Sequence, residues 1–393
     1  MEDLLTINDF QTTGCEVKVV GVGGGGGHSI SHLYEETLAT NQKISFLVCN
    51  TDTQDLEKSP VPIKLALGKE ITHGNGCGAK PEVGRQAAEE SAEDIKNALN
   101  DGARMVFVVA GMGGGTGTGA SPVIAHIAKT ELNMLTIGIV TLPFLFEFEK
   151  KYNRALEGIK KLKEEVDSIV IISNEMLFDT DPQLTLKQSF KKVDDVVASA
   201  AQSIADIVNV PGEINIDLAD VTSIMQNSGV AIMNTGCSGK GSKFRLKDAL
   251  KDALNTPILQ NKKIEGAKNV LVNIYTSENY QLDMEETKYI REFLEENGIN
   301  RMGEIIWGWA IMPNLEDMLK VTLIITGFEV EDIPEFSEEY DARYNARNKK
   351  KQADGQQTNT IEVLPEDDTE EDSDNVIDID LDELDFDTAP SQR

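Results

Sequence analysis

The sequence is short of cysteine, of histidine and of long apolar runs, and each shortage excludes a class of protein. Its 393 residues include 4 cysteines and 4 histidines. They form neither a CxxC pair nor an HExxH motif, so neither a disulfide framework nor a metal site is predicted. The longest apolar runs, such as residues 168–173, are far shorter than the ~20 residues that a membrane span requires. The acidic N-terminus has no apolar signal segment, so we expect a cytoplasmic protein that does not insert into the membrane.

Basic residues are scarce as well. The chain has 37 lysine and arginine residues against 67 aspartate and glutamate residues, which gives a formal net charge of −30. A general nucleic-acid-binding protein needs a basic face that displaces counterions from phosphates. The composition therefore predicts no nucleic-acid partner.

The acidic residues are concentrated at the C-terminus. Residues 362–393 contain 14 acidic side chains and a single basic one. The preceding segment 348–360 is polar and aperiodic, which is typical of a disordered linker. Within the tail, Ile377, Leu381 and Leu384 are spaced i, i+4, i+7, as in an amphipathic helix that docks on a partner. A solvated tail that binds nothing is the alternative, and the residues alone do not decide between the two.

Short β-branched runs alternate with helical segments up to about residue 190. The predicted strands are 17–22, 44–49, 105–110, 135–140 and 168–173. Continuous apolar runs of this length suit strands of a parallel sheet that are buried on both faces. Residues 82–100 and 149–166 have helical composition and spacing. The alternation predicts a doubly wound α/β domain.

A long helix and a second α/β region follow. Residues 193–210 place Val193, Val197 and Ile204 on one apolar stripe, and Pro211 directly after them stops the helix. Further strands are predicted at 229–235, 269–275, 304–312 and 320–328, with helices at about 244–254 and 283–296. The central helix would then join two α/β domains.

The first chemical signal is the glycine run 21-GVGGGGGH-28, which follows a predicted strand and precedes a helical stretch. Glycines let backbone amides approach a phosphate closely, and the helix N-terminus favours anions. Gly21, Gly23 and Gly26 also satisfy the GxGxxG fingerprint of dinucleotide-binding proteins. The alternative is a glycine turn that serves packing alone.

A second glycine segment, 111-GMGGGTGTGAS-121, follows the strand at 105–110 and precedes a helix expected to begin near Pro122. Two phosphate cradles at one sheet edge suit a polyphosphate, whereas a nicotinamide enzyme needs one. Such an enzyme would also need an acidic residue near the end of the second strand to bind the ribose. Asn50 is neutral there, although Asp52 keeps that alternative open. The chain has no GxxxxGK[ST] motif, so it is not a P-loop NTPase.

An acidic segment, 213-EINIDLAD-220, follows the end of the central helix. On the residues alone, the simplest interpretation is a loop whose carboxylates cap the next helix.

Together these motifs resemble the tubulin/FtsZ family of GTPases. The resemblance runs in order over residues 17–328. It includes the tubulin-like GGGTGTG at 113–119, NTD at 50–52, KPEVGRQAAEES at 80–91, PFLFE at 143–147 and PGEINIDLADV at 211–221. It implies a tubulin-like fold, binding of GTP and GDP with Mg²⁺, GTP hydrolysis and head-to-tail polymerisation. It also implies a scaffolding role in the bacterial cell-division ring at mid-cell, with the tail bound by a membrane-tethering division adaptor.

The resemblance also implies roles for individual residues. The nucleotide would contact Gly24, Gly25, Gly26, Gly27, His28, Asn50, Gly78, Ala79, Gly113, Gly114, Gly115, Thr116, Gly117, Thr118 and Gly119. Glu147 and Lys151 would lie near the ribose and phosphates, Phe190 beside the base, and Asp194 at the guanine edge. A carboxylate suits that edge because it accepts from N1–H and N2–H₂, which adenine does not offer. Asn215, Asp217 and Asp220 would form a catalytic loop that enters the nucleotide site of the adjoining subunit.

Several residues depart from the family pattern. The departures are His28, Lys80, Leu142, Phe148 and Lys151. A lysine at 151 keeps the positive charge of the usual arginine but loses its bidentate geometry.

The predicted organisation is an N-terminal extension, a GTP-binding domain, the central helix, a C-terminal α/β domain, a linker and an acidic tail. Their bounds are 1–16, 17–192, 193–210, 211–330, 331–375 and 376–393. Two alternatives remain at this point. One is an NAD-dependent oxidoreductase that uses the 21–26 loop, and the other is a nucleotide-binding structural polymer that hydrolyses little.

Overall fold

A computed structural model describes residues 15–40, 44–175, 183–254, 267–297, 304–313 and 315–328. The strands within these ranges are β1 Val17–Val22, β2 Ile44–Asn50, β3 Lys64–Ala66, β4 Met105–Gly111, β5 Leu135–Leu142, β6 Ser168–Ser173, β7 Gly229–Cys237, β8 Asn269–Thr276, β9 Ile305–Ile311 and β10 Lys320–Phe328. The α-helices are α1 Gly23–Thr40, α2 Thr53–Lys58, α3 Lys69–Thr72, α4 Pro81–Glu90, α5 Ala92–Leu99, α6 Thr116–His126, α7 Glu149–Glu165, α8 Leu186–Asn209, α9 Leu218–Met225, α10 Arg245–Leu254 and α11 Lys288–Glu296. The predicted linker and tail helix lie outside the described residues.

The ten strands form one sheet in the order β3-β2-β1-β4-β5-β6-β7-β10-β8-β9. The first six are parallel, and their order is that of doubly wound nucleotide-binding folds. β7 lies parallel to β6, β10 runs antiparallel to both β7 and β8, and β9 is parallel to β8. The predicted doubly wound α/β fold is confirmed, and the second α/β region extends the same sheet.

Two hydrophobic layers lie on opposite faces of the sheet. Along β1, Val20 and Val22 belong to the layer covered by α4 to α7, whereas Val17 and Val19 belong to the layer covered by α1, α8 and α9. Side chains alternate between faces along a strand, so a strand covered on both sides must be apolar throughout. Helices on both faces explain why the strands read as continuous apolar runs.

Because β1, β2, β4 and β5 are parallel, their C-terminal ends meet at one edge of the sheet. We call this the carboxyl edge, and the edge at which these strands begin the amino edge. Crevices outside the carboxyl ends of parallel strands are where ligands bind in open α/β sheets.

Helix α8 begins seven residues before the predicted start at 193. Its N-cap is Thr185, whose hydroxyl accepts from Gln188 N, while the Gln188 side chain accepts from Thr185 N. This reciprocal capping box starts a polar first turn that carries no apolar stripe, so hydrophobic spacing alone did not reveal it. The helix ends at Asn209, just before Pro211, as expected.

Other helix bounds also differ from the predictions. The segment 82–100 forms two helices, because the backbone departs from helical geometry at Ser91, whose hydroxyl accepts a hydrogen bond from Gly68 N. The helix expected over 283–296 forms only from Lys288 onward. The helix expected near Pro122 begins at Thr116, in a Thr-Gly sequence of low helix propensity. The short strand β3 was missed because three residues carry no readable alternation.

Candidate nucleotide site

The first glycine run is not a loop, since Gly23–Gly27 form the first turns of α1. A Cβ atom on Gly26 would lie 2.1 Å from the carbonyl oxygen of Val109, so this glycine lets the helix pack directly on β4. Packing therefore explains part of the run. Gly25 is exposed, and α1 presents its N-terminus at the carboxyl edge, where its free amides and dipole favour an anion.

The second glycine segment is half turn and half helix. Gly113 has φ +96°, and its amide donates to Thr118 Oγ1 at 2.8 Å, which fixes the turn from β4 into α6. No atom lies within 4 Å of a Cβ built on Gly114, so this residue faces open space. Gly117 lies against the first run, because a Cβ built on Gly23 would be 2.9 Å from the amide nitrogen of Gly117. The two predicted cradles are therefore adjacent.

Gly78 and Ala79 lie beside this second segment. Both have left-handed φ angles, and a Cβ on Gly115 would be 2.5 Å from Cys77 Cβ. Thr51 links the segments, since its hydroxyl lies 2.7 Å from Thr116 Oγ1 and 3.2 Å from Cys77 Sγ. The structure thus brings together the glycine segments and the 77–79 turn predicted for the nucleotide.

The carboxylates after β2 have structural roles that differ from the ribose contact considered for Asp52. Asp52 accepts hydrogen bonds from Gln54 N and Asp55 N as the N-cap of α2. Asn50 is buried, and its amide donates to Asp55 Oδ2 at 2.8 Å. The same Asp55 oxygen lies 3.2 Å from a Cβ built on Gly24, so Asp55 is the carboxylate that faces the first glycine run. Asp55 carries no local signal in the sequence, because it lies inside α2, three residues beyond the acidic position at the strand end.

Two cations approach Gly113 from helix α7. The Lys151 side chain packs against Gly113 and forms an ion pair with Glu147, one turn earlier in the chain. Arg154 Nη1 donates to the Gly113 carbonyl at 2.9 Å. The sequence predicted the first cation but missed Arg154, although its i+3 spacing from Lys151 places both on one helix face.

The residues predicted for the base lie on α8, next to α1. Asp194 Oδ1 accepts a 2.6 Å hydrogen bond from Ser29 Oγ. Burial raises the pKa of Asp194, while this hydrogen bond and the nearby His28 and His32 oppose the rise. The Phe190 ring is 43% exposed and meets Phe144 edge to face at 5.5 Å. Phe190 is therefore not a core residue, and its ring is available to a ligand.

The acidic loop caps a helix, as the simplest interpretation expected. Asp217 Oδ1 accepts from Ala219 N and Asp220 N, while Asp220 Oδ2 accepts from Asp217 N. Asn215 Oδ1 accepts from Gly212 N at 3.2 Å. Asp217 and Asn215 are exposed, so capping leaves them open to solvent.

This loop lies at the amino edge, away from the glycine segments. Arg104, which precedes β4, has a pKa raised by its hydrogen bond with Glu16 and further by the charge of Asp217. Strand β4 ends at Gly111, and seven residues at ~3.3 Å each put ~20 Å between its two ends. The structure thus does not bring Asp217 and the phosphate cradle of the same chain together.

Comparisons with known proteins show the family to which the chain belongs. The model of the tubulin/FtsZ family GTPase domain matches residues 16–181, and that of the FtsZ family C-terminal domain matches residues 229–329. The chain is 43% identical over 334 residues to the cell division protein FtsZ of Porphyromonas gingivalis, which covers 84% of this chain and 71% of that protein. It is 40% identical over 320 residues to the cell division protein FtsZ of Aquifex aeolicus, covering 81% and 84%. A solved FtsZ dimer from M. jannaschii superimposes with a TM-score of 0.71 at 38% identity, covering 81% of this chain and 89% of that one.

The fold and the paired glycine segments define a tubulin-like GTPase. The chain belongs to the tubulin/FtsZ family. No helix within the described residues is long and apolar enough to cross a membrane.

Proposed function

We propose that this protein is a cytoplasmic GTPase that polymerises head to tail, completes its catalytic site between two subunits and scaffolds the cell-division ring at mid-cell. The observation that carries the proposal is the separation of the glycine segments and Asp217 on opposite edges of one sheet. Stacking the amino edge of one copy on the carboxyl edge of the next would join them. The cell-division role rests on the named relatives, and the FtsZ dimer supports self-association.

The polyphosphate would lie over the N-termini of α1 and α6, on the amides of Gly24–Gly27 and Gly113–Gly119. Gly114 leaves the space that this requires. Lys151, whose side-chain stem packs against Gly113, would neutralise phosphate oxygens, and Glu147 would reach the ribose. Asn50, Gly78 and Ala79 would border the pocket.

Guanine would lie between α1 and α8. Phe190 would offer its exposed ring to the base, and aromatic stacking on a base contributes ~1–3 kcal/mol. Asp194 would accept from guanine N1–H and N2–H₂ through the oxygen that Ser29 leaves free, with His28 nearby.

Mg²⁺ would be held chiefly by the phosphates, as is usual for nucleotide-bound magnesium. Among the described residues, no group of three or more histidine, cysteine, aspartate or glutamate side chains could hold a metal ion. The residues present fit an ion that arrives with the nucleotide, because Asp55 supplies one carboxylate next to Gly24. When bound, the ion would neutralise charge that develops on the phosphates.

The incoming Asn215, Asp217 and Asp220 would orient and polarise the attacking water. Asp217 of the same chain lies at the opposite edge of the sheet from both glycine segments. Hydrolysis would therefore depend on assembly. The tail would recruit a membrane-tethering adaptor through its apolar stripe.

The two alternatives weaken for specific reasons. An NAD-dependent enzyme would need Asp52 for the ribose, but Asp52 caps α2. A polymer that hydrolyses little is opposed by the match of residues 16–181 to the tubulin/FtsZ family GTPase domain.

The decisive experiment mixes two inactive variants. Asp217→Asn keeps a side chain that caps a helix about as well as aspartate, so the fold should persist while the charge is lost. Gly114→Asp places a negative charge in open space at the phosphate cradle, so it should block nucleotide binding without a packing clash. Each variant alone should hydrolyse GTP at least tenfold more slowly than the wild type.

Mixing them should recover activity, because Asp217→Asn subunits accept GTP and Gly114→Asp subunits supply Asp217. Specific activity of the wild type should also rise with protein concentration. Activity that stays constant down to concentrations where only monomers exist would refute shared catalysis. A mixture without recovered activity would also refute it, provided that sedimentation shows both variants in one polymer.

A further inference from the structure

Phe148 combines a strained backbone with an aromatic ring that is left in solvent. Its φ of 73° and ψ of 149° lie in a region used almost only by glycine, and the residue is 79% exposed. Its carbonyl oxygen accepts from Lys151 N at 3.0 Å and from Tyr152 N at 3.2 Å, at the start of helix α7. Glycine would form the same backbone hydrogen bonds without strain. A single subunit therefore gains little from phenylalanine at this position.

Phe148 lies at the carboxyl edge, beside the proposed nucleotide site. Strand β5 ends at this edge with Leu142, and Glu147, the residue proposed to reach the ribose, directly precedes Phe148. Strained residues of this kind cluster at functional sites, where the strain is part of how the protein works. The ring thus indicates a binding surface and not a part of the core.

A second exposed apolar surface lies on the edge strand β9. Ile214 and Trp309 exchange two backbone hydrogen bonds, of 3.1 and 3.0 Å, in an antiparallel bridge. Side chains that lie directly opposite in such a bridge share a face, as do side chains two positions apart along a strand. Ile214, Trp307 and Ile305 therefore lie on one face, and we call these three residues the β9 patch. They are 39%, 36% and 45% exposed.

The β9 patch belongs to the amino edge. Strand β9 runs in the same direction as β7 and β6, so it begins at the edge where they begin. Ile305 and Trp307 are in the first half of the strand. Neighbouring exposed apolar residues of this kind favour a protein–protein contact.

Both surfaces border the site that two subunits are proposed to share. Phe148 follows Glu147 in the chain, and Ile214 directly precedes Asn215 and is three residues from Asp217. Three extended residues span ~10 Å. If Asp217 of one copy reaches the nucleotide of the next, its Ile214 therefore lies within about this distance of that nucleotide. Head-to-tail stacking would bring the Phe148 ring of one copy close to the β9 patch of its neighbour.

We propose that Phe148 is an assembly residue, whose ring packs against the β9 patch of the next copy in the polymer. The inference rests on the head-to-tail stacking proposed above and names a contact that holds the stacked subunits together. Burial of apolar surface stabilises this contact, and aromatic side chains often dominate the energetics of interfaces. The strained backbone destabilises each monomer, and a contact made only in the polymer offsets that cost.

Sedimentation of the full-length chain with GTP tests the proposal, because it measures the critical concentration for assembly. Phe148→Gly should raise the critical concentration at least fivefold. Its GTP affinity, measured below the critical concentration, should change less than twofold, because the ring faces the next copy and not the nucleotide. An unchanged critical concentration would overturn the proposal. A large loss of GTP affinity would also overturn it, because the ring would then contact the nucleotide.

Variants of the β9 patch test the other side of the contact. Trp307→Ser and Ile305→Ser should each raise the critical concentration several-fold. Phe244→Ser, at a 54% exposed position outside both surfaces, should not, and an equal rise there would refute a specific contact. Residues that contact each other lose the same interaction, so Phe148→Gly combined with Trp307→Ser should be less than twofold worse than the more severe single variant. Effects that multiply in the double variant would show that the two residues act independently and would refute the contact.

The wild type separates this inference from the proposed function. If wild-type GTP hydrolysis rises with concentration and Phe148→Gly assembles equally well, only the contact is refuted. If the wild type shows neither assembly nor concentration-dependent hydrolysis, the proposed polymer is refuted, and the contact with it.

Discussion

The hydroxyl of Ser29 donates a 2.6 Å hydrogen bond to Asp194 Oδ1 and so joins the N-terminal part of α1 to the long helix α8. The same carboxylate lies next to His28 and His32, which lower its raised pKa. The helix proposed to bind phosphates and the residue proposed to recognise guanine are therefore joined by a hydrogen bond. The geometry of the proposed base pocket would depend on this link.

Asp194→Asn should weaken GTP binding at least tenfold and relax discrimination against ATP, because an amide oxygen accepts less strongly than a carboxylate. Titration of both nucleotides measures this. Asp195→Asn, one position further along α8, is the matched control and should leave the preference intact. A full GTP preference in Asp194→Asn would remove the residue from base recognition.

The same substitution weakens GTP binding but should increase the stability of the unliganded protein. Burial raises the pKa of Asp194, so folding favours the protonated form. The stability contributed by this protonation is complete below the unfolded-state pKa and is lost as pH rises through the folded-state pKa. Asparagine at position 194 stays neutral at every pH. Asp194→Asn should therefore raise the free energy of unfolding at pH 7, and this free energy should change less with pH in the mildly acidic range. Chemical denaturation across pH 4–8 without nucleotide would show this, and a destabilised variant at pH 7 would contradict it.

Phe148→Gly should stabilise the fold. Phe148 has φ 73° and ψ 149°, a region used almost only by glycine, and its side chain is 79% exposed. Such strain costs ~1–3 kcal/mol, whereas the added freedom of glycine in the unfolded chain costs ~0.4–1 kcal/mol. We expect a net gain of ~1 kcal/mol in urea unfolding. Asn133→Gly, at φ 54°, should gain less because asparagine tolerates that conformation. A loss of stability in Phe148→Gly would mean that its side chain makes a stabilising contact.

Asp101→Asn should be among the most destabilising single substitutions at the amino edge. Lys18 lies within β1, is fully buried and pairs with Asp101 Oδ2 at 2.8 Å. Neutralising one partner leaves an uncompensated buried charge, for which ~3–5 kcal/mol is typical. Glu131→Gln breaks the exposed Lys96–Glu131 pair and should change unfolding by less than ~1 kcal/mol. Lys18→Met combined with Asp101→Asn should recover much of the loss, and equal effects of the buried and exposed substitutions would contradict the argument.

Removal of residues 362–393 should leave folding and GTP hydrolysis nearly unchanged, because so charged a segment adds little to a core. It should abolish recruitment to a membrane-bound partner. Thermal unfolding, GTPase assays and localisation in cells measure the three effects. Normal ring formation by the truncated chain would refute the docking role, and a large drop in melting temperature would refute its independence from the fold.

The strands were predictable because they are buried on both faces and therefore carry uninterrupted apolar runs. The start of α6 at Thr116 was not, because it is fixed by contact with a neighbour. A Cβ on Gly119 would lie 1.9 Å from the carbonyl oxygen of Pro81, a relationship that no local pattern reveals. Asp55 and Arg154 were missed for a similar reason. Each lies next to a glycine that is distant in the sequence, Gly24 for Asp55 and Gly113 for Arg154. The roles of Asp194 and Phe190 were inferred from family resemblance, because a single carboxylate or aromatic residue on a helix surface forms no recognisable sequence pattern.

The thiol of Cys77 gives the carboxyl edge a chemical reporter. It is buried, 3.2 Å from Thr51 Oγ1 and 3.5 Å from Thr116 Oγ1, where the ends of β2 and the start of α6 meet. An alkylating reagent reaches this sulfur only when those segments separate, so the labelling rate of Cys77 measures how often the edge opens. Cys237 is exposed and serves as an internal reference for reagent reactivity. Comparing the two labelling rates with and without nucleotide would show how far bound nucleotide keeps these segments together.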